Sequence, residues 1–209
     1  MNAEPDTVYI VDDEPGMCKA LCRLLRAEGF DTRAFESPRE FLAGYDEETT
    51  ACLLLDVAMP ELDGMEFQQL LAQRGLRIPV IFLTAHGDIP MSVRAVKAGA
   101  TDFLTKPVND ADLLRAVRTA LKTAAKQAGE ESAHKALAAR HATLTPRERE
   151  VMALVVTGML NKQIAAHLGT GEQNIKIHRG RVMEKMGIVS LADLVRAAER
   201  LEGGNSAGV

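Results

Sequence analysis

Short apolar runs, each closed by a polar residue and each followed by a helical pattern, recur through the first half of this 209-residue chain. Val8-Tyr9-Ile10-Val11 ends in Asp12-Asp13. Leu53-Leu54-Leu55 ends in Asp56, Val80-Ile81-Phe82-Leu83 ends in Thr84, and Phe103-Leu104 is followed closely by Lys106-Pro107. Such runs suit strands buried on both faces, the condition of parallel strands covered by helices. The pattern predicts a doubly wound parallel sheet, whose functional groups gather at the carboxyl ends of the strands.

Strands are expected near 7–12, 31–36, 51–56, 78–84 and 101–105, with helices over 15–29, 37–45, 63–74, 88–98 and 109–122. Gly29 and Gly99 stand where helices commonly end on a glycine. The first domain is therefore set at 5–122. From 123 to 142 the chain is rich in Ala and charge and lacks a large apolar stripe. It reads as a linker with helical tendency, interrupted at Gly129.

Beyond residue 142 the strand pattern is absent. Thr145-Pro146 with Glu148 opens a helix through a capping box, and Gly158 stops it. Further helices are expected over 162–168, 172–186, ended by Gly187, and 190–201. Residues 143–201 thus form a separate all-α, four-helix domain, and 202–209 a disordered tail.

Charge divides the same way. The first 120 residues carry 12 Lys/Arg against 20 Asp/Glu, and the rest carry 13 against 9. An acidic half can hold a metal cation and a basic half can approach a polyanion. The acidic N-terminus is not a signal peptide, and no apolar run approaches the roughly 20 residues of a membrane helix. The expected compartment is the cytoplasm. Cys18, Cys22 and Cys52 lack zinc-like spacing and read as small buried hydrophobes rather than redox sensors.

Three carboxylates, a hydroxyl and an amine collected at one sheet edge suit Mg²⁺-assisted phosphoryl transfer onto an aspartate. Mg²⁺ takes oxygen ligands and keeps several waters, so two or three carboxylates plus a backbone carbonyl suffice, and Asp13 and Asp56 are the ligand candidates, with Asp12 in support. Asp56 is then the nucleophile, Lys106 supplies positive charge, and Thr84 donates to a phosphoryl oxygen. Phosphoryl transfer needs little from protein beyond alignment and charge neutralisation. Taken singly, an Asp or Thr at a strand end is usually a helix cap, and a Lys before Pro is usually solvated. The joint pattern is what singles them out.

These motifs resemble the receiver domain of two-component response regulators, and 140–201 resembles a LuxR-type helix-turn-helix. The combination resembles the NarL/FixJ group. Ala85-His86-Gly87-Asp88-Ile89-Pro90 and Phe103-Leu104-Thr105-Lys106-Pro107 are similar to its FixJ-like branch. The resemblance implies a flavodoxin-like, five-stranded receiver phosphorylated on Asp56 by a cognate sensor histidine kinase. It adds the backbone carbonyl of Ala58 to the metal ligands and implies a cis Lys106-Pro107 bond. Phe103 becomes a switch aromatic that turns inward when Thr84 moves. The affected surface would be the fourth helix, with Ile89, Met91, Val93 and Val96, and the last strand. Ala58 and His86 would flank the route of a hydrolytic water and tune phosphoryl lifetime.

In the back half, Asn161–Gly169 followed by Glu172–Met186 reads as helix, turn, helix, with Ile164, Ala165 and Leu168 facing Ile175, Val182 and Met186. The opposite face of the second helix would lie in the major groove of promoter DNA. Lys176 suits guanine, Gln173 or Asn174 suits adenine, and Ile177 suits a thymine methyl. Arg179, Arg181, Lys162 and Lys185 suit phosphates, while Arg147 and Arg149 solvate the domain's first helix. His178 reads as half-buried. Gly171 stands where the resembled domains usually carry a Ser cap, Asn174 where they carry Thr, and Gly180 costs about 1 kcal/mol of helix propensity. Leu191, Leu194, Val195 and Ala198 on the last helix would pair a homodimer on inverted half-sites, with RNA polymerase a further implied partner.

Two other readings compete. One is a phosphate-dependent interaction switch with a protein-binding back half. The other is a phosphohydrolase using Asp56, disfavoured because position 58 is Ala rather than a second acid/base Asp.

Overall fold

The computed structural model describes residues 6–47, 49–60, 62–85 and 89–203, leaving aside the side chains of 89–92. Two compact units divide between Ala128 and Gly129.

In the first unit, β1 (Thr7–Val11), β2 (Asp31–Phe35), β3 (Ala51–Asp56), β4 (Val80–Thr84) and β5 (Asp102–Thr105) form one sheet. They alternate with α1 (Pro15–Ala27), α2 (Pro38–Gly44), α3 (Gly64–Gln73), α4 (Ile89–Lys97) and the first part of α5 (Asp110–Ala142), whose residues from Gly129 on belong to the second unit. All four neighbouring strand pairs are parallel, in the order β2-β1-β3-β4-β5. Because strand side chains alternate, the two faces take different partners. Tyr9, Val11, Leu53, Leu55 and Phe82 meet Phe41 of α2, Phe67 of α3 and Ala95 of α4. Val8, Ile10, Leu54, Ile81 and Leu83 meet Leu21 and Leu25 of α1 and Leu113 and Val117 of α5. Each fully buried aliphatic side chain contributes about 1.5–3 kcal/mol, so the unbroken runs are what hold the central strands inside.

All three cysteines are free, with Cys18 and Cys52 buried and Cys22 half-buried. Burial pushes the Cys52 thiol up to about 12. Burial first, and the Asp12 charge second, push Cys18 up to about 11. Their burial fits thiols used as small hydrophobes.

One expectation fails in α5. The helix runs without a break through Gly129 to Ala142, 33 residues in all. Nothing lies within 4 Å of a side chain placed at Gly129, and residues 125–133 are all exposed, so packing does not hold this stretch. Helix propagation is cooperative. Alanine-rich flanks and the Glu131–Lys135 pair at 2.8 Å, one turn apart, outweigh the roughly 1 kcal/mol cost of one glycine.

The second unit holds α6 (Pro146–Val156), α7 (Asn161–His167), α8 (Glu172–Met186) and α9 (Leu191–Gly203). Val151, Val155, Ile164, Ile175, Val182, Met186 and Leu194 make its core. The capping box at Thr145 and Glu148 is formed. Gly187 ends α8 in the left-handed conformation, φ 65°, which a side chain would strain. Leu194 corrects one expectation: it is fully buried in its own domain and has no surface to offer a twin. Its i+4 neighbour Ala198 packs partly against the same core. Residues 204–209, the rest of the expected tail, lie outside the described residues.

The start of α3 sets a steric limit on the sheet edge. Gly64 donates its backbone N–H to Val57 O at 3.0 Å, drawing the helix so close that an added Cβ would lie 2.3 Å from Asp56 O. Gly64→Ala is therefore expected to destabilise the first unit by about 1–3 kcal/mol. Thermal melting checks this, and an unchanged transition would show that the helix start yields freely.

Candidate functional site

The sheet register assembles the site. Val11 pairs with Leu55, so Asp12 and Asp56 leave adjacent strands side by side. Asp56 pairs with Leu83, which puts Thr84 at the end of the next strand. Thr84 pairs with Thr105, just before Lys106, and the Lys106 N–H donates to Thr84 O at 2.7 Å. The order β2-β1-β3 reverses direction at β1/β3, the crevice where doubly wound sheets bind ligands.

In that crevice the Lys106 ammonium donates to Asp12 Oδ2 at 2.7 Å and lies 2.9 Å from Asp56 Oδ1. The Lys106 side chain is only 9% exposed. Asp12 Oδ1 accepts from the Glu14 N–H at 2.9 Å, and Cys18 Sγ donates to Asp12 O at 3.4 Å. One ligand atom from each of Asp12, Asp13 and Asp56 falls within 4.8 Å of the others.

Burial raises the Asp56 carboxyl above its ordinary value, and repulsion from Asp12 and Asp13 adds to that. The hydrogen bond and charge of Lys106 pull the other way without cancelling it. Burial also opposes the Lys106 charge, but its bonds to Asp12 and Asp56 outweigh that and hold its pKa above the ordinary lysine value. Three carboxylates, two of them buried, against one ammonium leave the site net negative. Hard oxygen donors with that residual charge fit a divalent cation of the Mg²⁺ kind.

The remaining predicted residues fall as follows. Thr84 is buried, and Ala58 is exposed in the loop after β3. Lys106-Pro107 is cis. Phe103 is half-buried beside Phe82, ring centroids 6.3 Å apart and tilted by 53°. On α4, Ala95 is buried while Val93 and Val96 are 45% and 57% exposed. His86 lies outside the described residues, as do the side chains of Ile89 and Met91.

On the second unit, Gln173, Asn174, Lys176, Ile177, Arg181 and Lys162 are exposed, and Arg179 and His178 are half-buried. Ile177 is 45% exposed, a large aliphatic group left in solvent on the outer face of α8. Asn174 Nδ2 donates to Thr170 Oγ1 at 3.1 Å. That bond spans the start of α8 where the Gly171 N-cap has no side chain.

Two basic residues are not where the sequence put them. Lys185, expected on phosphate, donates instead to buried Glu148 Oε2 at 2.6 Å and to Thr143 O at 3.2 Å. Arg147, expected to be merely solvated, donates to Leu168 O at 2.9 Å and closes the C-terminal end of α7. Both partners lie far along the chain, so helical periodicity could not reveal them. Gly64 was also overlooked, although the pair Asp63-Gly64, with Asp63 capping α3, was there to be read.

The chain matches the response regulator receiver domain over residues 8–118 and the luxR family of bacterial regulatory proteins over 142–198. It is 45% identical over 202 residues to response regulator protein TmoT of Ectopseudomonas mendocina, covering 97% of this chain and 92% of that one. It is 47% identical over 194 residues to nodulation protein W of Bradyrhizobium diazoefficiens, covering 93% and 86%. Among solved structures it is similar to response regulator StyR, with TM-score 0.82 and 40% identity, covering 94% of this chain and 99% of that one. Full-length FixJ from B. japonicum gives TM-score 0.56 and 36% identity, covering 96% and 98%.

The Glu148 site carries a pH prediction. Hydrogen bonds from Lys185 and the Thr145 backbone lower its carboxyl from 4.5 to about 2. A carboxyl depressed on folding stabilises above its unfolded value, and that stability fades as pH falls from about 4.5 toward 2. Glu148→Gln should cost the second unit about 1–2 kcal/mol at pH 7, discounted because Lys185 is a third exposed. Melting across pH should show the gap to wild type closing below pH 4; a gap independent of pH would remove the ion pair as its cause.

Proposed function

The chain belongs to the response regulators that join a receiver domain to a luxR-family DNA-binding domain. From that premise we propose that phosphorylation of Asp56 by a cognate sensor histidine kinase promotes dimerisation and sequence-specific binding to promoter DNA. Such a chain regulates transcription and is not an enzyme. The observation that carries the reading is the Lys106 ammonium set between Asp12 and Asp56, beside Asp13, at the carboxyl edge of the sheet.

Asp13, Asp56, Asp12 and the Ala58 carbonyl would hold Mg²⁺, which supplies charge neutralisation for the incoming phosphoryl group. The chain's own groups do the rest. An Asp56 carboxylate oxygen attacks the phosphorus of the kinase's phosphohistidine, whose P–N bond breaks as the imidazole leaves; Lys106 steadies the charge of the product, and Thr84 donates its hydroxyl to a phosphoryl oxygen. Movement of Thr84 lets Phe103 turn inward, and the change is read on α4 and β5, where Val93 and Val96 stand in solvent.

On DNA, Gln173, Lys176 and Ile177 meet base edges, with Asn174 limited by its bond to Thr170. Arg179, Arg181 and Lys162 meet phosphates. Leu191, Val195 and the exposed part of Ala198 pair the two copies, and RNA polymerase is the further partner. The work is placed in the cytoplasm, where promoters are. Among the described residues no helix is long and apolar enough to cross a membrane.

Two experiments test this. Genomic fragments are enriched with purified protein and Mg²⁺, with and without a small phosphodonor, beside Asp56→Ala. Inverted sites that strengthen with donor and vanish in the variant are expected. Equal binding in all three samples would mean the receiver does not gate the DNA-binding domain, and no enrichment would favour a protein-binding switch. Separately, Mg²⁺ at tenfold its Kd should stabilise the receiver by about 1.4 kcal/mol, a shift of several degrees. Asp13→Asn should remove most of that shift; a full shift in the variant would exclude Asp13 as a ligand.

A further inference from the structure

Arg179 lies on the third turn of α8, the helix proposed to enter the groove, yet it is not fully in solvent. It is half-buried, and its Nη1 donates to Asn161 Oδ1 at 3.3 Å, eighteen residues back at the first position of α7. The bond crosses between the two helices of the helix-turn-helix. Asn161 is itself half-buried at the start of α7. The other N–H groups of Arg179 have no hydrogen-bond partner among the described residues.

An arginine side chain loses several rotatable degrees of freedom when it docks on a phosphate. A guanidinium already tethered at one corner has lost part of that freedom before DNA arrives, and its fork keeps donors for an anion. The neighbouring cations lack such a tether: Lys162 and Arg181 are exposed. Arg179 is thus the one phosphate candidate on this face that the fold itself aims.

We propose that Asn161 is a positioning residue for DNA binding, pre-orienting Arg179 toward the phosphate backbone. This rests on the reading of the second unit as a DNA-binding domain. The consequence is specific. Asn161 acts only through Arg179, so it adds nothing once Arg179 is gone, and it donates no charge, so it leaves the salt dependence alone.

The test is a double-mutant cycle on the full chain with sheared genomic duplex as probe, affinity being followed against salt. Arg179→Ala should lower the slope of log affinity against log salt by about 1. Asn161→Ala should weaken binding by about threefold to tenfold with the wild-type slope retained. The double variant should match Arg179→Ala alone. Melting confirms that each variant folds, and Asn161→Leu, which also removes the acceptor, replaces the alanine if that one unfolds. Additive losses would overturn the proposal, because Asn161 would then be touching DNA or shaping the domain on its own account. A slope lowered by Asn161→Ala would overturn it too. Wild-type protein with no salt-dependent affinity for duplex would sink the DNA-binding reading itself, and this inference with it.

Discussion

One ammonium group organises the acidic edge of the sheet. Lys106 reaches across to two buried carboxylates, Asp12 and Asp56, that leave adjacent strands. Without it, buried Asp12 and Asp56 and the more exposed Asp13, ligand atoms within 4.8 Å of one another, would repel with nothing to offset them. With it, two negative charges remain, and burial still holds Asp56 above its ordinary pKa. The residual negative charge is of the kind a divalent cation would offset. That residual imbalance suits the proposed phosphoryl transfer, whose chemistry depends on charge brought to the site rather than on covalent help.

The rest of the receiver serves that geometry. Parallel register delivers Asp12, Asp56, Thr84 and Lys106 to the same end of four strands, and two apolar layers keep the register from slipping. Gly64 lets α3 close against the backbone of Asp56, so even the position of that residue's own carbonyl is defined by packing. In the second unit the corresponding constraint is Glu148. It is buried at the start of α6 and satisfied by Thr145 and by Lys185 from α8. A single carboxylate thereby ties the cap of one helix to the last turn of the helix that carries the outward-facing polar groups.

Much of this was legible in the chain. The strand ends Asp12, Asp56 and Thr84 and the helix limits at Pro146 and Gly187 follow from local chemistry: apolar runs, fixed proline φ and cap geometry. The capping box at Thr145 was visible because its partner is three residues away. What escaped were contacts made across helices or dependent on burial. Lys185 was placed on phosphate because a lysine near the end of a basic helix looks solvated; only the fold brings Glu148 within 2.6 Å of it. Leu194 was placed on a dimer face because an amphipathic helix does not say how much of its apolar side its own domain consumes. Gly129 was read as a break because propensity is local, whereas a helix with strong flanks carries a single glycine through.

The sequence by itself determined the sheet, its strand ends and the residue types that meet there, because alternation, run length and turn chemistry are short-range properties. Tertiary structure alone decided which charges are paired and which remain open. It gave Lys106 to Asp12 and Asp56, Lys185 to Glu148, Arg147 to the Leu168 carbonyl and Arg179 to Asn161. The physical reason is reach: hydrogen bonds and ion pairs act over about 3 Å, and residues tens of positions apart come within that distance only when the packed elements bring them there.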